Sequence, residues 1–321
     1  MKREKIALIF GITGQDGSYL ANFLIRKNYK VIGITRNLSA KNLFRLKKLN
    51  ILKKIKLIKG IAVNINFIKE IIKKNKNIKE IYYLAGCSSV VNSFLFPEES
   101  LRSNAIGISN ILVSVKNINK KIKVFNAASG QFYGNNKKSI YNEKSYINPQ
   151  SPYGISKASS YWLVKIFRER YGINCCSGIL FNHESPLRSD AFVTKKIINH
   201  CHLIKKRKIK YLYVGDINIS RDWGWAPEYI EAIYLMLRQK DPKDLVIGSG
   251  KRHSLKRFIF EAFRLLKIPR NRLKANTKKL IRRNDIRSYR SDPRLAKKIL
   301  NWKAKTSFKQ IIKKMICDEL F

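Results

Sequence analysis

Acidic residues are scarce in this chain. Its 321 residues include 21 Asp and Glu against 67 Lys and Arg, a formal charge of +46 at pH 7. Cysteine is scarce too. Cys87, Cys175, Cys176, Cys201 and Cys317 are odd in number and nowhere spaced C-x-x-C, which argues against a zinc site or a disulfide framework. Such sparse cysteine fits a reducing cytoplasm. The four histidines form no ligand pattern, so no metal is expected. No apolar run is long enough to span a bilayer, and no membrane contact is expected. "KIALIFGITG" begins a strand almost at Met1, which leaves no room for a signal peptide.

What the chain has in excess is positive charge, which ordinarily points to nucleic acid. Here Lys, Ile and Asn recur everywhere, as in "KKNKNIKE" and "KKIKLIKG". The charge therefore reads as a compositional bias spread over solvent faces. No aromatic-interleaved RNA motif accompanies it, so no specific nucleic-acid partner is expected. A positive field would still draw an anionic cofactor and substrate inward. An apolar content of 45% marks a globular chain with a substantial core.

Strand and helix patterns alternate through the first half. "KIALIFG", "KVIGITR", "EIYYLAG", "KVFNAAS" and "NCCSGILF" read as strands. "GSYLANFLIRKN", "FIKEIIKKN", "GISNILVSVKN" and the long "SPYGISKASSYWLVKIFRERYG" read as helices between them. Such alternation with short connections predicts an α/β fold, a Rossmann-like doubly wound parallel sheet with helices on both faces. Residues 1–181 are expected to form the dinucleotide-binding domain. Residues 182–321 are expected to form a smaller, partly interleaved α/β substrate domain, with a segment near 215–250 returning to the first.

Gly11, Gly14 and Gly17 stand between the first strand and its helix, spaced G-x-x-G-x-x-G. Glycines there let the backbone turn tightly and approach a pyrophosphate resting on the helix N-terminus. An acidic residue closing the second strand would bind the ribose hydroxyl of NAD. Arg36 is found instead, and a guanidinium forks around a phosphate, which favours NADP. The plainer reading is that Arg36 is one more cation in a basic chain. Tyr153 and Lys157, four apart at a helix start, share one face. With Ser129 on a preceding strand end, they can take a proton from a sugar hydroxyl while hydride leaves the carbon.

At these residues the chain resembles the extended short-chain dehydrogenase/reductase family, and within it the GDP-mannose 4,6-dehydratases. "GITGQDGSYL" is similar to their cofactor loop and "SPYGISK" to their Tyr/Lys segment. "GILFNHESPLR", "FVTKKI", "RDWG" and "KKILNWK" extend the resemblance over nearly the whole chain. The resemblance implies a lyase of nucleotide-sugar metabolism that binds NADP and a GDP-sugar and forms a homo-oligomer. It implies that Thr13, Gln15, Asp16, Leu84, Ala85, Gly86, Ser88, His183 and Arg188 join the three glycines, Arg36, Tyr153 and Lys157 around the cofactor. It further implies that Ser88, Asn182, Val193, Lys196, Arg221, Arg282 and Asp285 bind the substrate.

The departures concern proton transfer. Where the dehydratase motif reads Thr-x-Glu, this chain has Ser129 and Gln131. Serine keeps the hydroxyl, but a neutral carboxamide does not take up the C5 proton at neutral pH. Cys87 and Ser89 replace a Gln and a His, and Ile61 replaces an Asp beside the adenine. Two alternatives therefore stand beside the dehydratase expectation. One is a GDP-sugar 4-reductase or epimerase on the same frame. The other is a basic, non-catalytic binding protein.

Overall fold

The computed structural model describes residues 5–135, 140–280 and 286–321. Arg282 and Asp285 lie outside the described residues. The first half runs β1 (Ile6–Phe10), α1 (Gln15–Arg26), β2 (Lys30–Thr35), α2 (Phe44–Lys48), β3 (Ile55–Lys59), α3 (Ile65–Lys74) and β4 (Ile78–Tyr83). It continues through α4 (Val90–Leu95), α5 (Pro97–Leu101), α6 (Gly107–Ile118), β5 (Lys123–Ser129), β6 (Ile140–Tyr141), α7 (Pro152–Tyr171) and β7 (Cys175–Leu180). The second half adds β8 (Asn182–Glu184), α8 (Val193–Lys205), β9 (Leu212–Tyr213), β10 (Ser220–Trp225), α9 (Ala226–Met236), β11 (Leu245–Ile247) and β12 (Arg252–Ser254). Then come α10 (Leu255–Leu266), β13 (Leu273–Lys274), β14 (Arg290–Ser291), α11 (Arg294–Leu300) and α12 (Phe308–Ile316).

Seven strands form one parallel sheet in the order β3-β2-β1-β4-β5-β7-β11. The central strands are apolar along their whole length because helices cover both faces. β1 and β7 are buried at every position. Ile9, Leu20, Val31 and Ile233 belong to one core, and Leu8, Ile32, Ile81 and Ile111 to the other. Strand order reverses between β1 and β4, which opens a crevice at their carboxyl ends.

The sheet was legible except for β3. Its sequence IKLIK reads as charge bias, yet it pairs with β2 from Val31↔Ile55 to Thr35↔Lys59. As the edge strand it is only partly covered, which is why lysines are tolerated at its outward positions.

After β7 the chain leaves the sheet. β8 pairs with β10, and β12 with β10, in a small sheet backed by a third core of Ile197, Trp223, Phe258 and Ile312. α9 then returns to pack on α1, and β11 joins β7 at the edge of the large sheet. No helix among the described residues is long and apolar enough to cross a membrane.

Candidate functional site

A cleft of about 1280 Å³ lies at the switch point. Gly11, Thr13, Gly14, Gln15, Asp16 and Gly17 line its floor, Arg36 one end, and Leu84, Ala85, Gly86 and Ser88 the β4 side. Arg188 closes it from the second lobe, its guanidinium 3.7 Å from the Phe192 ring centroid. Ile61 lines the same wall. Two glycines make this cradle close-fitting. Gly11 has φ +82°, and a Cβ there would meet Ala85 N at 2.7 Å. A Cβ on Gly17 would meet Gly11 O at 2.2 Å. Backbone this bare, at the N-terminus of α1, fits the phosphates of a dinucleotide.

Arg36 follows directly on β2 and pairs with Glu99 at 3.0 Å across the mouth, with both side chains more than half exposed. Asp16 makes the tie between lobes. His183 Nε2 lies 2.9 Å from Asp16 Oδ1, and His183 Nδ1 2.7 Å from the Phe181 carbonyl. Burial alone would raise the Asp16 carboxyl, but the charge and hydrogen bond of His183 outweigh it and hold it at about 2. Burial would lower the His183 imidazole, and Asp16 reverses that, so its pKa is raised. Gln15 Nε2 also donates to the His183 carbonyl, at 3.2 Å.

Ser129 ends β5, and the next residues turn through one tight helical loop that carries Gln131. Ser151 caps α7 by accepting from Gly154 N, which places Tyr153 and Lys157 on its first turns. Burial raises the Tyr153 phenol, while the facing Ser129 hydroxyl and the Arg188 charge work the other way. Lys157 Nζ donates to Ala127 O at 2.7 Å and lies 5.9 Å from the Tyr153 ring centroid. Burial lowers its pKa to about 8. Lys157 thus bonds to backbone, and desolvation is the largest influence on the Tyr153 phenol.

The remaining expected residues divide. Asn182 starts β8, and the buried Arg221 lies on β10 with its guanidinium 5.2 Å from the Tyr289 ring centroid. Val193 packs toward the second-lobe core, and Lys196 is exposed on α8. Neither hydrogen bonds to Asn182. Glu143, the nearest carboxylate in sequence to Gln131, accepts from Val246 N at 2.8 Å and takes no part in the site. None of the described carboxylates hydrogen bonds to Ser129, Gln131, Tyr153 or Lys157. No three His, Cys, Asp or Glu side chains gather among the described residues as a metal site would require.

The family model for GDP-mannose 4,6 dehydratase matches residues 8–315. The chain belongs to the GDP-mannose 4,6-dehydratase family. It is 35% identical to GDP-mannose 4,6 dehydratase of Dictyostelium discoideum, over 99% of this chain and 97% of that protein. It is 34% identical to the Homo sapiens enzyme of that name, over 98% and 91%. Among solved structures it is similar to a UDP-glucose 4-epimerase from Thermotoga maritima with UDP-glucose. The TM-score is 0.86 at 21% identity, covering 98% of both chains. RMD from Pseudomonas aeruginosa complexed with NADPH gives a TM-score of 0.81 at 18% identity, over 98% of this chain and 97% of that one. Membership of the GDP-mannose 4,6-dehydratase family does not favour the reductase, epimerase or binding-protein alternatives.

One residue of the site escaped sequence reasoning. Tyr289 is buried, its ring lies tilted against Phe181 with centroids 5.1 Å apart, and its hydroxyl accepts from Gln131 Nε2 at 3.0 Å. No motif marks it, and its partner is 158 residues away.

Proposed function

We propose that this chain is an NADP-dependent nucleotide-sugar dehydratase that converts GDP-mannose to a GDP-4-keto-6-deoxyhexose. The observation that carries the reading is the meeting of Ser129, Tyr153 and Lys157 beside the glycine-floored cleft, in a chain of this family. The chemistry drawn from a bound nicotinamide is reversible hydride transfer, from C4 first and to C6 last.

Tyr153 takes the proton of the C4 hydroxyl, and Ser129 holds that oxygen by a hydrogen bond. The buried ammonium of Lys157 stabilises the phenolate that must form. The new C4 carbonyl acidifies the C5 hydrogen, and hydrogen bonds from Ser129 and the now neutral Tyr153 stabilise the enolate. The C5 proton passes to solvent water, and the C6 hydroxyl takes a proton from solvent as its C–O bond breaks, so that one water is lost across C5 and C6. Gln131 can hold a hydroxyl but stores no proton, so water loss is the slow step.

NADP is favoured over NAD because Arg36 sits at the end of β2, where among the described residues its one ion pair is exposed and of little strength. Asn182, Arg221 and Lys196 suit a nucleotide diphosphate, the guanidinium and ammonium by charge and the carboxamide by hydrogen bonding. Phe94 on α4 and Ile155, Trp162 and Ile166 on α7 are exposed, and the two helices pack together, which supports a homo-oligomer. The five cysteines are free, as a reducing cytoplasm requires.

The test is incubation with GDP-mannose and NADP, followed by mass spectrometry of the nucleotide sugar. A product lighter by one water supports the reading. Protein that is inert on GDP-mannose but reduces a GDP-4-keto-6-deoxy sugar with NADPH overturns it.

A further inference from the structure

Three side chains from distant parts of the chain meet behind Ser129. Gln131 Nε2 donates to the Tyr289 hydroxyl at 3.0 Å, and that hydroxyl donates to Asn182 Oδ1. A phenol has one proton to give. Given to Asn182, it leaves the phenolic oxygen an acceptor, so only the amide nitrogen of Gln131 can face it. Gln131 Oε1 is thereby turned away from Tyr289. Among the described residues nothing donates to it, while the Gln131 backbone N–H is held by Ser129 Oγ at 3.3 Å.

Tyr289 cannot easily move aside. It is 2% exposed, its ring packs on Phe181, and the Arg221 guanidinium lies 5.2 Å from its centroid. Burial pushes its phenol up to about 12, against the opposing effects of Arg221 and Gln131, so it keeps its proton at neutral pH. An unanchored glutamine presents oxygen and amine in turn; this one presents a single face.

We propose that Tyr289 is a positioning residue that holds the Gln131 carboxamide with its oxygen toward the sugar, as acceptor for a sugar hydroxyl, and couples that setting to Asn182 in the second lobe. The ligand feature it selects is a hydroxyl donor beside the reacting carbons. The inference rests on the dehydratase reading, which places the sugar against Ser129 and Tyr153. Its energetic basis is preorganisation: a group held in one productive orientation loses nothing to the alternatives during turnover.

The test is a double-mutant cycle of wild type, Tyr289→Phe, Gln131→Ala and the double variant. kcat and KM are measured for GDP-mannose, with melting temperature and NADP affinity as checks on folding. Phenylalanine keeps the ring packing and removes only the hydroxyl. Tyr289→Phe should lower kcat roughly 10- to 100-fold with KM nearly unchanged, the scale of a misplaced group. In the Gln131→Ala background the same change should cost nothing further, because Tyr289 acts through Gln131. Should Tyr289→Phe fail to fold, Tyr289→Met is read in the same cycle with the same expectations. An unchanged kcat, or losses that multiply in the double variant, overturns this inference alone. Wild-type protein that turns over no GDP-mannose overturns the dehydratase reading and this inference with it.

Discussion

Replacing Lys157 by Met should abolish turnover and yet raise the melting temperature. Lys157 is 7% exposed, and among the described residues its ammonium has one hydrogen bond, to Ala127 O at 2.7 Å. Burial takes its pKa from 10.5 to about 8. At about 1.36 kcal/mol per unit, keeping the proton at neutral pH costs the fold on the order of 3 kcal/mol. Methionine fills the same space without a charge but leaves the Ala127 carbonyl unpaired, which offsets about 1 kcal/mol of the gain. The remaining ~2 kcal/mol corresponds to a rise of a few degrees in a chain of this size. The sign is set by proton binding. Between pH 8 and 10.5 the folded wild type has released this proton while the unfolded chain keeps it. The unfolded state then binds more protons, so wild-type stability gains with pH from this source in that window, and the variant has no such gain. Calorimetric melting from pH 6 upward should show the variant ahead at pH 7 and its lead shrinking above pH 8. A variant that melts well below wild type at pH 7, or a difference indifferent to pH, would refute the reasoning.

Tyr153→Phe should leave melting and cofactor binding intact while turnover falls by roughly 10²–10⁴, the usual effect of losing an acid–base group. Arg36→Glu should shift cofactor choice from NADP toward NAD, read by titrating both; an unchanged ratio would remove Arg36 from the site. Gly17→Ala should abolish dinucleotide binding in calorimetry, because the added Cβ meets Gly11 O at 2.2 Å. Gln131→Glu restores a carboxylate of nearly the same shape and should speed water loss without changing NADP affinity; a slower variant would show that the C5 proton leaves by another route.

How much could be read beforehand follows from whether the signal was local. The glycine loop, Arg36, and the Tyr153/Lys157 pair each lie within a few residues of a strand or helix end, and local pattern exposes them. β3 was lost because an edge strand half open to water can carry lysines at its outward positions, so its alternation reads as charge. Tyr289 was lost for a different reason. It reaches Gln131 only because β14 pairs with β6 and its ring is laid against Phe181. Asp16 looked like a cofactor contact, and nothing in its own segment announced the imidazole of His183 beside it. The position of Gln131 was plain in the sequence; what holds it was not.

The central claim is that this site removes water from its sugar rather than merely exchanging hydride at C4. The reaction is best run with GDP-mannose and NADP in deuterated water and the product examined by proton NMR. The account predicts a 4-keto sugar with a new C6 methyl group and deuterium at C5, because the C5 proton passes to solvent before the double bond is reduced. A sugar that keeps its C6 hydroxyl and its C5 hydrogen, whatever has happened at C4, would contradict it.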